Sequence, residues 1–150
     1  MEKQETKIIP VSHELLSSHS CPATVVMCMD FRFVKATQEF VQKNLATPNF
    51  DLLIAPGCIK GLLQEGTLKN YLLENIALSI KLHLTHELVL VCHSTCGAYG
   101  IPDRAQEHEQ QEKDLAEAAK ILTESFPSLS IHACIANGDA EKEEIVYENI

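Results

Sequence analysis

Residues 77–97 read ALSIKLHLTHELVLVCHSTCG, and this stretch decides the fold. Its first part continues a pattern in which Leu or Ile recurs every four residues from Leu68 to Leu84. That pattern predicts a long, well-buried helix over 68–84. After a very short turn, residues 87–92 (ELVLVC) form an apolar run that predicts a buried strand. A helix that leads through a tight turn into a buried strand is typical of α/β proteins with a parallel sheet.

The rest of the chain alternates in the same way. Short apolar or β-branched runs predict further strands at 23–28, 50–55 and 128–136, with a weak candidate at 144–148. Amphipathic spacing predicts helices at 34–45 and 103–125, and Asn137-Gly138 is predicted to be a turn. We therefore predict one domain over 1–150, with a mostly parallel sheet of four to five strands and helices on both faces.

Composition and charge exclude several classes of function. The 150 residues contain 12 Lys and Arg against 21 Asp and Glu, which gives a net charge of -9. A chain this acidic repels phosphate backbones, so we expect no nucleic-acid binding and no binding to membranes. The sequence has no apolar run near the roughly 20 residues of a membrane-spanning helix, and its start, MEKQETK, has no apolar secretory core. We expect a cytoplasmic location.

The chain contains six cysteines, which we predict to be reduced. Small secreted proteins use disulfides in place of a core, whereas 45% of these residues are hydrophobic and supply a core directly. Cysteines in a reducing compartment serve as packing residues, metal ligands or nucleophiles. Four of them are predicted to be mostly packing residues: Cys21, Cys58, Cys92 and Cys134.

Reactive side chains follow two of the predicted strands. Cys28 closes the first strand, and Asp30 and Arg32 come just after it. His93 follows the third strand, with Cys96 three residues later. Ligands of open parallel sheets bind beyond the carboxyl ends of the strands, so neighbouring strands would bring these groups to one edge.

Two thiolates and one imidazole suit zinc and leave one of four coordination positions open. Asp30 could fill that position, or it could accept a hydrogen bond from zinc-bound water. A bidentate pairing with Arg32 would keep the carboxylate ionised and aimed away from the metal.

At these residues the sequence resembles the β-class carbonic anhydrases. Residues 28–32 (CMDFR) are similar to the family's Cys-x-Asp-x-Arg motif, and residues 93–97 (HSTCG) to its His-x-x-Cys-Gly motif. The resemblance extends from about residue 20 to residue 138. It implies a β-carbonic-anhydrase-like fold and a homodimer or larger assembly, because the active sites of the family lie at a subunit interface.

The resemblance also implies roles for the five motif residues. Cys28, His93 and Cys96 would be the zinc ligands. Asp30 and Arg32 would be the catalytic pair, with Asp30 as a possible fourth ligand in a closed state. The implied reaction is zinc-dependent, reversible hydration of carbon dioxide to bicarbonate by a zinc-bound hydroxide.

Carbon dioxide is small and apolar, so its pocket should be dry. The candidate pocket residues are Phe31, Phe33, Gly57, Gly97 and Tyr99. One segment departs from the family pattern: Ile54-Ala55-Pro56-Gly57 stands where members usually carry Arg-Asn-Ala-Gly. The glycine can keep the turn, but the polar groups before it are lost.

Two other functions stay open on the sequence. One is hydrolysis of carbon disulfide or carbonyl sulfide, which are also linear triatomic molecules. The other is a zinc-binding module of this fold without hydratase activity. A further expectation concerns the acidic residues of the last helix, which are predicted to form a solvated face: Glu107, Glu109, Glu112 and Asp114.

Overall fold

The computed structural model of the chain describes residues 7–45 and 48–150. Helices and strands alternate along most of these residues, as predicted. They are, in chain order, α1 (His13–Ser17), β1 (Ala23–Met27), α2 (Phe31–Asn44), β2 (Phe50–Ile54), a 3-10 helix (Lys60–Leu63), α3 (Thr67–His83), β3 (Glu87–His93), α4 (Arg104–Ser125), β4 (Ser130–Asp139) and β5 (Glu144–Asn149).

The five strands form one sheet in the order β2-β1-β3-β4-β5. The first four run parallel, and β5 runs antiparallel to β4. The predicted fold class, α/β with a mostly parallel sheet of four to five strands, is therefore confirmed. The strand order reverses at β1, because the chain moves outward to β2 and then returns to the other side of β1 as β3. Such a reversal leaves a crevice beyond the carboxyl ends of β1 and β3.

Helices cover both faces of the sheet. On one face α2 packs through Phe33 and Val41 against alternate residues of β1 and β3. On the other face α3 and α4 pack through residues such as Ile76 and Leu115. Each apolar side chain buried in this way stabilises the fold by about 1.5–3 kcal/mol relative to an exposed one.

The helices agree closely with the predicted ranges except at the start of α2. This helix begins at Phe31 and not at residue 34, because Asp30 caps it: the carboxylate accepts the backbone N–H of Arg32 at 3.0 Å. The short α1 and the 3-10 helix were not predicted. Among the residues described, no helix is both long and apolar enough to cross a membrane.

The predicted turn at Asn137-Gly138 is wrong. Both residues belong to β4, which continues to Asp139 and pairs with β5 in the register Gly138 to Ile145. Gly138 packs closely against Phe33: a Cβ there would lie 3.3 Å from the ring, which would have to shift slightly. The weak strand candidate at 144–148 is confirmed as β5.

The cysteines are all free thiols. Cys58, Cys92 and Cys134 are buried in the two hydrophobic clusters on either side of the sheet, as predicted for packing residues. Cys21 is only partly buried and lies just before β1.

Candidate metal centre

Cys28, His93 and Cys96 converge beyond the carboxyl ends of β1 and β3. The register explains the convergence: Met27 pairs with Val91, so Cys28 and His93 leave neighbouring strands at nearly the same height. The three side chains are buried, and a thiol sulfur or ring nitrogen of each lies within 4.8 Å of the others. The Sγ atoms of the two cysteines are 4.0 Å apart. We call these three residues the carboxyl-edge cluster.

The imidazole of His93 is oriented for ligation. Its Nδ1 lies 2.8 Å from the carbonyl oxygen of Ser94, so Nδ1 carries the proton and donates it there. Phe33 stacks on the ring with the centroids 4.3 Å apart. Burial lowers the pKa of His93, which favours the neutral ring with a lone pair on Nε2.

Nε2 of His93 has no hydrogen-bond partner. In residues 7–45 and 48–150, only this atom and Oε1 of Gln111 are buried side-chain nitrogen or oxygen atoms without one. A buried polar atom without a partner costs about 1–3 kcal/mol, and a metal ion at this point would satisfy it.

The thiols fit the same ion. Burial, and to a smaller extent the neighbouring Cys28, raises the pKa of Cys96 to about 11. A divalent cation between the two sulfurs would reverse this preference, because metal binding deprotonates a coordinating thiol. Two sulfurs and one imidazole nitrogen are a ligand set that suits zinc.

Asp30 and Arg32 form a bidentate ion pair beside the cluster. Arg32 donates from Nε to Oδ1 at 2.9 Å and from Nη2 to Oδ2 at 2.6 Å. These hydrogen bonds lower the pKa of Asp30 to about 2, so the carboxylate is an anion at neutral pH. Its Oδ2 lies 3.9 Å from Nε2 of His93. The carboxylate is therefore held next to the three donors by Arg32.

Glu107 supports the loop that carries Cys96. Its carboxylate accepts the backbone N–H groups of Thr95 and Cys96 at 2.8 and 2.7 Å. Thr95 needs this support because it is a β-branched residue with a φ of +55°, in the left-handed region. Arg32 also donates to the Thr95 carbonyl, at 3.1 Å.

The expectation of a solvated acidic face on α4 is thus wrong for two of its four residues. Glu107 is 2% exposed and Asp114 is also buried. Asp114 accepts the hydroxyl of Tyr99 at 2.9 Å, and Gln111 donates to the carbonyl of His93 at 2.8 Å. The helical spacing of 107, 111 and 114 was the available signal, since these three positions share one face with the apolar residue Leu115.

The five candidate pocket residues lie in different surroundings. Phe33 stacks on His93, and Tyr99 packs against the two cysteines of the cluster while its hydroxyl faces Asp114. Gly57 is buried next to Ala98 with a φ of +70°, whereas Gly97 is exposed. Phe31 is 86% exposed. Their contact with substrate stays a prediction.

A cavity of about 760 Å³ opens beside the ion pair. It lies between α2 and the β4–β5 hairpin, and Arg32, Thr95, Arg104 and Tyr147 are among its lining residues. It therefore borders the site on the side of Arg32.

The fold and this arrangement of residues define a carbonic-anhydrase-like α/β protein. A family model described as Putative carbonic anhydrase matches residues 18–146, and the chain belongs to that family. An uncharacterized protein of Rickettsia conorii is 26% identical over 155 residues, which cover 97% of this chain and 83% of that protein.

Two solved structures share the fold. The β-carbonic anhydrase CcaA superposes with a TM-score of 0.57 at 14% identity, over 89% of this chain and 82% of that one. The apo form of a carbon disulfide hydrolase superposes with a TM-score of 0.51 at 14% identity, over 86% of this chain and 79% of that one. These superpositions establish a common architecture. Because the sequence identities are low, the reaction must be argued from the site.

Proposed function

We propose that the protein catalyses the zinc-dependent, reversible hydration of carbon dioxide to bicarbonate. The observation that carries the proposal is the convergence of two buried thiols with an imidazole whose Nε2 lacks a partner. Cys28, His93 and Cys96 would hold the zinc ion. When bound, zinc acts as a Lewis acid that brings the pKa of a water molecule down toward neutrality.

Asp30 would orient the attacking water. Its carboxylate is an anion beside the three donors, so Oδ2 would accept a hydrogen bond from that water and direct an oxygen lone pair toward the substrate. Arg32 keeps this carboxylate in place through one hydrogen bond to each of its two oxygens. Phe33 and Tyr99 supply apolar surface next to the cluster, as the substrate requires.

One observation supports an assembly of two or more subunits. Met29 and Phe31 flank Asp30 in sequence and are 64% and 86% exposed. Large apolar side chains exposed next to a functional site mark an interaction surface. We therefore propose a homodimer or higher homo-oligomer that covers these two side chains.

We also propose a cytoplasmic location. All six cysteines are free thiols, which is typical of a reducing compartment.

Stopped-flow hydration of carbon dioxide tests the function, on protein whose zinc content has been measured. We expect a rate above buffer that rises with pH. The matched pair His93→Gln and His132→Gln sharpens the assay, since each replaces a strand histidine and only His93 belongs to the cluster. His93→Gln should remove both zinc and activity, and His132→Gln should keep both.

Other outcomes separate the remaining functions. Full zinc occupancy with no hydration at alkaline pH would overturn the proposal. If the same protein then hydrolysed carbon disulfide or carbonyl sulfide, it would be a sulfur-analogue hydrolase. If it turned over none of these substrates, it would be a zinc-binding module. In that case the segment Ile54–Gly57, which offers no polar side chain, is the first place to restore activity.

A further inference from the structure

A second set of donor groups lies at the opposite edge of the sheet. Cys21 precedes β1, Asp51 is the second residue of β2, and His83 is the last residue of α3. A sulfur, a carboxylate oxygen and a ring nitrogen of the three lie within 4.8 Å of one another. We call these residues the amino-edge cluster.

The backbone holds the three elements together. Asp51 pairs with Thr24 in the parallel ladder between β1 and β2. The N–H of Cys21 donates to the carbonyl of His83 at 3.0 Å. Main-chain contacts therefore fix the backbone positions of the three residues relative to one another.

We propose that the amino-edge cluster is a second binding site for zinc. A thiolate, an imidazole and a carboxylate are all zinc ligands. Two ligands on a tetrahedral zinc are about 3.3–3.7 Å apart, given metal–ligand distances of about 2.0–2.3 Å. Nδ1 of His83 now lies 2.8 and 2.9 Å from the Asp51 oxygens, so small side-chain movements would admit the ion in place of the shared proton.

Buried hydroxyl groups stand behind the carboxylate. Ser79 donates to Oδ2 of Asp51, and the Ser79 oxygen lies 2.7 Å from Thr24 Oγ1 and 3.3 Å from Thr85 Oγ1. All three hydroxyl residues are buried. Outer hydrogen bonds of this kind orient the ligands of metal sites, whereas a surface ion pair needs no such support.

The cluster is accessible to an ion. A cavity of about 170 Å³ lies over it, with Ser18 and Ser20 in its lining, so a fourth position can hold water or another ligand. The side chain of His83 is 43% exposed and that of Asp51 is 27% exposed. The net charge of -9 also favours approach of a cation.

The two clusters should bind independently. They lie at opposite ends of β1, whose five residues span roughly 17 Å at about 3.3 Å per residue. A change in one cluster therefore leaves the ligands of the other untouched, and zinc counts can be assigned to each.

Zinc stoichiometry tests the proposal on the full chain, after dialysis against low micromolar free zinc. We expect two zinc ions per chain in the unchanged protein and one in both Cys21→Ala and His83→Gln. His86→Gln is the matched control, because His86 is an exposed histidine three residues further on, and it should keep two. Thermal unfolding of each variant checks that it folds.

Cobalt(II) provides a second readout. Each coordinated thiolate adds near-ultraviolet charge-transfer absorption, so Cys21→Ala should remove one of three thiolate contributions. A single zinc that is lost in Cys96→Ser, or two that survive both Cys21→Ala and His83→Gln, would overturn the second site. Loss of the second ion in His108→Gln would also overturn it, since that ion would belong to the surface group His108, Glu112 and Glu148. A single zinc lost only in Cys21→Ala and His83→Gln would support this site and overturn the zinc of the proposed function.

Discussion

The two ends of β1 carry similar donors in opposite environments. At the carboxyl edge His93 is 2% exposed, and its Nε2 lacks a partner. At the amino edge the side chain of His83 is 43% exposed, and its Nδ1 is hydrogen-bonded to Asp51. Similar ligands thus form two different clusters. The one at the carboxyl edge is buried and has a ring nitrogen without a hydrogen-bond partner, whereas the one at the amino edge is more open and its ring nitrogen is already hydrogen-bonded.

This difference indicates different tasks. A buried site excludes water and strengthens electrostatic interactions, as the proposed catalysis on an apolar substrate would require. The partly exposed amino-edge cluster would exchange its ion more readily and must displace hydrogen bonds to bind it, so its affinity should be the lower of the two. The following predictions test the contrast, beginning with the largest effect.

Cys96→Ser should abolish the function of the carboxyl edge. Serine keeps the volume but is a much poorer zinc ligand, so we expect hydration to fall by at least about a hundredfold. The bound zinc should drop by one ion per chain, and adding Cys21→Ala should remove the rest. Metal analysis and stopped-flow rates on the same samples measure both effects. Normal zinc content in Cys96→Ser would remove this residue from the ligand set.

Asp30→Asn should separate metal binding from turnover. The amide keeps the shape of the carboxylate but is a weaker acceptor and loses the ion pair with Arg32, so we expect about a hundredfold slower hydration. Zinc content should stay the same, because Asp30 is paired with Arg32 and is not one of the three proposed zinc ligands. Undiminished turnover would contradict the proposal that Asp30 orients the attacking water.

Glu107→Gln should lower the zinc affinity of the carboxyl-edge cluster through the loop that carries Cys96. Gln can accept only one of the two N–H groups that Glu107 now accepts, so we expect zinc affinity to fall by about 10–100-fold. The matched control is Glu109→Gln, an exposed residue of the same helix, which should leave the affinity unchanged. Chelator competition measures both, and the amino-edge cluster should not respond to either. Equal affinities in the two variants would contradict the supporting role of Glu107.

The smallest effect concerns acid stability. The folded state lowers the pKa of Asp30 from 3.8 to about 2, so this residue stabilises the fold above the unfolded value. That contribution is lost as pH falls through the range between those two values. Because Arg32 is about half exposed, we expect it to be about 1 kcal/mol at most.

Urea unfolding of the metal-free chain at several pH values, compared with Asp30→Asn, measures this term. The two proteins should differ most near neutral pH and converge at acid pH. A constant difference across the range would show that the ion pair is not its source.

The sequence predicted the sheet and the motif residues better than their surroundings. Apolar runs such as ELVLVC define buried strands locally, and the resemblance named the residues at their ends. The buried position of Glu107 was not predicted, because a buried carboxylate depends on backbone N–H groups of a loop that only the folded chain presents. The amino-edge cluster escaped for a related reason: Cys21, Asp51 and His83 are about 30 residues apart and share no motif.

Local rules also failed where packing overrides them. Asn137-Gly138 is a turn signal, yet the pair continues β4 because both residues pair with β5. The start of α2 at Phe31 was missed since the apolar spacing begins later than the cap at Asp30.

The left-handed backbone of Thr95 has a consequence for metal choice. A β-branched residue in this conformation costs roughly 1–3 kcal/mol, and hydrogen bonds from Thr95 to Glu107 and from Arg32 to Thr95 hold it there. Because these hydrogen bonds come from the protein itself, they stiffen the loop around the ligands. A stiff cradle discriminates by geometry, so ions that prefer square-planar or octahedral surroundings should be disfavoured relative to zinc. Selectivity at this edge would then be a property of one threonine's backbone as much as of the sulfurs.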